Sequence, residues 1–295
     1  MTEKAMEFIT EVIHFDKNFQ KLFFKNPTLE RVASGYSFTE GPVWKESDSC
    51  LYFTDFPNEK IYKWCPKIGA RIYVNKSNRA IGLAVNQEGN IISCESSLHR
   101  LAIINNKESH NVVSNYEGKR FNSTNDVIVA KNGDMFFTDP FSKMLGVPSE
   151  QGFNGVYWLH SNGKLFIVSK DFDWPNGLCL SLDESKLYVN DTGEKRIYVL
   201  QRDDKNEFGT RKVFAQLDSR YGDGSPDGMK VDRFDNVWVT GSGGLWVLNP
   251  EGKKLAMIKC PEFVGNFCFG GKNKDEVFIT ASTSVYRLKL TDKIY

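Results

Sequence analysis

Residues 40–56 read EGPVWKESDSCLYFTDF. A short apolar run, a polar turn and a second run rich in aromatic and β-branched residues make one strand, one turn and one strand. The phrase returns five times, as IGLAVNQEGNIISCES from Ile81, NDVIVAKNGDMFFTDP from Asn125, NGLCLSLDESKLYVNDT from Asn176, DGMKVDRFDNVWVTGS from Asp227 and GNFCFGGKNKDEVFITAS from Gly265. The turns at Gln87–Asn90, Lys131–Asp134 and Arg233–Asn236 carry the Gly, Asn and Asp that tight hairpins require. Six hairpins spaced 41, 44, 51, 51 and 38 residues apart lack a solenoid's constant period. They predict an all-β fold, a six-bladed β-propeller.

Equivalent positions of successive blades lie at one height around a central channel. The residues that lead the six repeats, Glu40, Ile81, Asn125, Asn176, Asp227 and Gly265, are therefore expected to be neighbours. Two carboxylates and two amides facing one axis are costly to bury unless a cation neutralises and coordinates them. Oxygen ligands without His or Cys favour Ca²⁺, with Mg²⁺, Mn²⁺ or Zn²⁺ as less suited occupants. The same ligands would serve a purely structural calcium that ties the blades together. Ile81 and Gly265 supply no ligand, so the expected metal sits off-centre toward blades one, three, four and five, with substrate entering over Ile81 and Gly265.

The chain of 295 residues carries 38 basic and 37 acidic side chains, a balance that gives no bulk attraction to nucleic acid or to a membrane surface. No apolar run approaches the roughly 18 residues that span a bilayer, and no signal-peptide pattern opens the sequence. A cytoplasmic location is the expectation. The six cysteines lack metal-ligand spacing and read as reduced thiols packed as small hydrophobes, not as a disulfide framework.

Residues 1–27 precede the repeats, and Phe8, Ile9, Val12, Ile13, Phe19, Leu22 and Phe23 approximate helical spacing. They are expected to form a short helical extension, with residues 28–295 as the propeller. Blade six has only three strands after Gly265, and Leu29–Ala33 is placed to supply the fourth and close the ring. Residues 140–154 form a long Gly-, Pro- and Ser-containing connection in blade three, a candidate lid.

EGPVW at Glu40–Trp44, RFNSTNDV at Arg120–Val127, FFTDP at Phe136–Pro140, PNG at Pro175–Gly177 and PDGM at Pro226–Met229 together resemble the gluconolactonase / senescence-marker-protein / luciferin-regenerating-enzyme family over residues 28–290. The resemblance implies a central divalent metal, usually calcium, held by Glu40, Asn125, Asn176 and Asp227. It implies hydrolysis of sugar-acid lactones, with another lactone, an organophosphate ester or non-catalytic calcium binding as alternatives. Asp227 becomes the catalytic candidate, as general base for water or as nucleophile. Asn125 and Asn176 would position substrate as well as metal. Arg120 and His99 are further substrate-binding candidates, with Asn122 and Asp126 in support of the ligands. Trp174 reads as an apolar wall of the mouth or as core. Asp55, Asp139 and Asp191, at the ends of second strands, read as turn caps.

Overall fold

The computed structural model describes residues 6–142 and 146–295. Their strands form six antiparallel sheets of four or five strands, with one small extra hairpin at 115–120. Blade one is Thr39–Lys45, Cys50–Asp55, Lys60–Cys65 and Gly69–Val74, and blade two Ala80–Val85, Ile91–Glu95, Arg100–Asn105 and Glu108–Val113. Blade three is Val127–Val129, Met135–Asp139, Gly155–Leu159 and Leu165–Ser169, and blade four Pro175–Leu180, Lys186–Asp191, Arg196–Gln201 and Lys212–Gln216. Blade five is Met229–Val231, Val237–Gly241, Gly244–Leu248 and Lys254–Lys259. Blade six combines Val264–Gly270, Glu276–Ala281 and Ser284–Lys289 with Thr28–Ser34. The expected closing strand is thus in place, with Leu29 opposite Leu288 and Ala33 opposite Val285.

The hydrophobic core is six wedges between neighbouring blades. Phe136, Trp158, Leu178 and Val189 pack blade three on blade four, for example, and Trp44, Phe53, Phe278 and Val285 pack blade one on blade six. Alternation along each strand buries both faces of every blade, which is why the second strands read as nearly continuous apolar and aromatic runs. The channel is left to other residues. Val43, Ala84, Ile128, Cys179, Lys230 and Cys268, the fourth residues of the six repeats, all line one cavity of about 640 Å³ at one end of it. Every repeat contributes the same position, so the alignment made on sequence is also an alignment in space.

The described part of the N-terminal extension, residues 6–27, has no α-helix. Met6–Ile9 adds a fifth strand to blade six, pairing with Thr28–Ser34, and Val12–His14 adds one to blade five, pairing with Lys254–Lys259. Only Phe19–Leu22 forms a single 3-10 turn. Isolated helices this short are marginal, whereas the outer edges of blades five and six offer unpaired backbone groups that suit β-branched residues. Phe8, Phe15 and Phe19 then lie against Tyr286, Trp246 and Trp238, which accounts for the apolar pattern without a helix.

The cysteine reading also needs correction, because Cys50 and Cys65 form a disulfide. Leu51 pairs with Trp64, so the next pair outward brings residues 50 and 65 opposite each other, with Cα atoms 4.7 Å apart. Strand register, invisible in the cysteine spacing, makes that neighbourhood. Cys94, Cys179 and Cys268 are buried free thiols as expected, and Cys260 is partly buried. Disulfides are uncommon in reducing compartments, so cysteine usage no longer points to the cytosol. No helix among the described residues is long and apolar enough to cross a membrane.

Candidate active site

The leading residues of the six repeats meet around the channel through their backbones. The Gly82 N–H donates to the Asn125 carbonyl at 2.8 Å, and the Gly228 N–H to the Gly265 carbonyl at 2.9 Å. Thr54 Oγ1 donates to the Ile81 carbonyl at 3.0 Å, and Thr138 Oγ1 to that of Asn176 at 2.8 Å. Asn190 Nδ2 donates to the Asp227 carbonyl. A side chain near the end of the second strand of blades one, three, four and five, Thr240 in blade five, therefore fixes the leading residue of the next blade. The approach is close enough that a Cβ at Gly41 would overlap the Ile81 carbonyl, and one at Gly177 that of Asp227. Glycine follows the leading residue because the next blade's backbone occupies that space.

The aspartates at the strand ends hold the loops that lead into Glu40, Asn125 and Asn176. Asp55 accepts from the Ser37 and Phe38 N–H groups ahead of Glu40, and Asp139 from Asn122 and Ser123 ahead of Asn125. Asp191 accepts from Asp173 and Trp174 ahead of Asn176. The expected turn caps are thus positioning devices for the ring. Register irregularities follow Glu40, Ala80, Pro175 and Val264 in the innermost strands, and such bulges re-aim side chains out of the ladder.

Glu40 is buried and accepts from the Gly41 N–H at 2.7 Å and from Asn266 Nδ2 at 3.1 Å. Burial raises its pKa to about 7, with the Asp126 charge adding to the rise and the Gly41, Asn266 and Lys230 groups opposing it. Asp227 is raised well above the usual carboxylate range, chiefly by burial and then by Glu40 and Asp126, against Lys230 and the Asn176 amide. Asp126, also raised by burial, has a buried Oδ2 without a hydrogen-bond partner among the described residues. Asn176 Nδ2 donates to Thr192 Oγ1 at 3.1 Å, and its buried Oδ1 likewise has no partner. Asn125 is held by main-chain bonds on both sides, its N–H donating to the Thr138 carbonyl at 2.9 Å.

This arrangement fits a hard cation. Glu40 and Asp227 repel each other and want a counter-charge, and the orphaned Asn176 oxygen wants a donor or an ion. The described residues hold no cluster of three or more His, Cys, Asp and Glu. A set of two carboxylates and two amides needs none.

The other sequence candidates lie on the blade-two and blade-three side. His99 is buried in a left-handed conformation (φ 54°) with Nδ1 against the Asn122 carbonyl, and burial lowers its pKa. Arg120 is committed to the blade-three connection through the Pro148 carbonyl at 3.2 Å and Glu150 at 3.5 Å. Asn122 donates to the Asp139 and Phe153 carbonyls and accepts from Ser149, tying the same connection down. The lid expectation falls partly on residues 143–145, outside the described residues. Trp174 is half-buried beside Asn176.

Two axial residues escaped the sequence reading. Asn266 follows the leading Gly265, and it hydrogen-bonds Glu40. Lys230 is the only charged fourth residue of a repeat, and its charge acts on Glu40, Asp126 and Asp227 together. Both break the column pattern, Asn266 where four repeats have glycine and Lys230 where five are apolar, and that break was the available signal. Gly265 also makes room for Glu40. A Cβ there would overlap Glu40 Oε1 and lie 3.4 Å from Phe38 Cε1. If Glu40 holds a divalent cation, Gly265→Ala should weaken its binding by roughly tenfold or more, as disturbing a ligand's support does. Calorimetric titration giving wild-type affinity would refute that role.

Residues 38–283 match the family described as SMP-30/Gluconolactonase/LRE-like region. The chain belongs to this family. It is 30% identical to a gluconolactonase of Zymomonas mobilis, over 95% of this chain and 86% of that protein. It is 25% identical to a pentonolactonase of Haloferax volcanii, over 82% of this chain and 81% of that one. The solved structure of a gluconolactonase from Xanthomonas campestris superposes with a TM-score of 0.90 at 26% identity, over 98% of both chains. Among family members, then, similarity to sugar-lactone hydrolases runs through nearly the whole chain.

Proposed function

We propose that this family member is a divalent-metal-dependent lactonase, with Ca²⁺ as the metal and aldonolactones such as glucono-1,5-lactone as substrates. The observation that supports the reading is the nearness of Asp227 to Glu40, Asn176 and Asp126, the neighbour of Asn125 in the chain, in a chain similar along its length to gluconolactonases.

Glu40, Asn125, Asn176 and Asp227 would hold the ion, which when bound supplies a Lewis-acid charge for the lactone carbonyl. Asp227 is the general base. It takes a proton from water as the water oxygen bonds to the carbonyl carbon, and it returns that proton to the ring oxygen as the C–O ring bond breaks. The product is the open hydroxy acid. A carboxylate raised above its ordinary range by burial and like charge is a stronger base than a free one and is suited to accept and return a proton. Asn176, supported by Thr192, keeps the base and the substrate oxygen in one orientation. Glu40 balances charge and is held in place by the Gly41 N–H and Asn266 Nδ2.

The test is acid release from glucono-1,5-lactone by Ca²⁺-loaded protein, corrected for spontaneous hydrolysis. Turnover that disappears on chelation and returns with Ca²⁺ supports the reading. Absence of turnover on a panel of aldonolactones, with metal binding shown by calorimetry, would point instead to a non-catalytic calcium-binding propeller.

A further inference from the structure

Arg79 lies two residues ahead of Ile81, on the loop that leads into blade two, and its guanidinium has no assigned role. Asn78 and Arg79 are both left-handed, with φ of 55° and 54°, a conformation that a long side chain seldom adopts. Four hydrogen bonds enforce it. Ser96 donates from its N–H and Oγ to the Arg79 carbonyl at 3.3 and 2.9 Å, and Ser97 from the same two groups to the Asn78 carbonyl at 3.3 and 2.8 Å. Asn78 Nδ2 in turn donates to the buried Glu95 at 3.1 Å.

What the strained turn presents is a charge without a counter-charge. The Arg79 guanidinium sits 5.8 Å from the centre of the Phe56 ring, its Nε is buried without a hydrogen-bond partner, and no carboxylate pairs with it among the described residues. From there the contacts lead to the metal ligands. Phe56 meets Phe38 edge-on with ring centres 5.7 Å apart, and Phe38 borders Gly265, which seats Glu40. Phe263 joins the same aromatic group at 6.2 Å from Phe38. The blade-one, blade-two and blade-six side of the ring thus carries an aromatic wall with one unpaired cation at its far end.

We propose that Arg79 is a specificity-determining residue that binds an anionic group, a carboxylate or phosphate, at the end of the lactone remote from the carbonyl. A guanidinium is a planar fork of donors matched to such oxyanions, and it gains most where it is partly removed from water. Glu40 and Asp227 cannot serve it, because their charge is taken up at the axis. This inference rests on the lactonase reading for its substrate class.

The test compares wild type with Arg79→Met and Arg79→Lys on 6-phosphoglucono-1,5-lactone and glucono-1,5-lactone, alongside calorimetric binding of 6-phosphogluconate and gluconate to the Ca²⁺-loaded proteins. Arg79→Met should lower the ratio of kcat/KM for the phosphorylated over the neutral lactone by about 30-fold, mostly through KM, as expected for one lost charge-assisted contact. Arg79→Lys should restore part of it. A ratio that does not move, or equal losses on both substrates, overturns the proposal and leaves the lactonase reading intact. If no lactone is turned over, weaker 6-phosphogluconate binding in Arg79→Met with gluconate binding less affected would keep the anion site while the lactonase reading falls. Equal binding by wild type and variant would end both.

Discussion

Asp227→Asn is expected to lower kcat for lactone opening by about 10³-fold, the range lost when a positioned general base is removed. The substitution keeps the shape of the side chain. It leaves the backbone contacts at the Asp227 carbonyl from Asn190, and the close packing of Gly177, in place. What disappears is the proton acceptor and one negative charge. The structure also fixes the sign of a control measurement. The Asp227 pKa is raised in the folded protein, so above the ordinary carboxylate range its ionisation opposes folding, and removing it should leave the metal-free protein at least as stable as wild type. A variant with unchanged or higher Tm and nearly no turnover places the chemistry at the channel. Turnover within tenfold of wild type would show that another group accepts the proton.

The second large effect is the opposed pH dependence of the metal-free and metal-loaded protein. Glu40 is raised from an ordinary value near 4.5 to about 7. A carboxylate whose folded pKa lies above its unfolded one contributes stability that is fully present below about pH 4.5 and is lost as pH rises through about 7. For Glu40 the loss is on the order of 3 kcal/mol. Metal-free protein should therefore lose Tm between pH 5 and pH 8. The cation competes with the same proton, so the Tm gained on adding Ca²⁺ should grow across that window and Ca²⁺ affinity should rise with it. Scanning calorimetry at pH 5 and pH 8, with and without chelator, reads both. A metal-free Tm that stays flat, with an equal Ca²⁺ shift at both pH values, would mean that the ion does not displace a proton from Glu40.

Gly265 and Arg79 show how far the repeat alignment reached. Aligning the hairpins identified the column to which Gly265 belongs, but its neighbour in the adjacent blade one is a carboxylate oxygen 225 positions earlier in the chain, and no local pattern encodes that contact. Arg79 lies in an inter-blade loop where the hairpin period says nothing. Its presentation depends on Ser96 and Ser97, which come from the turn after the second strand of blade two. The N-terminal segment failed for a related reason. Apolar residues spaced like a helix face fit equally well as edge strands, and the choice was made by the open edges of blades five and six.

The sequence by itself determined the six hairpins, their order around the ring, the strand that closes it and the column of polar leading residues, because each is written in local alternation and turn chemistry that recurs with every blade. Only the tertiary structure decided the axial support of Glu40 by Asn266, the reach of Lys230 to three carboxylates, the Cys50–Cys65 pairing and the unpaired guanidinium above the aromatic wall. Each of these depends on strand register or on the closing of the ring, which brings together residues from different blades and which only the packed chain specifies.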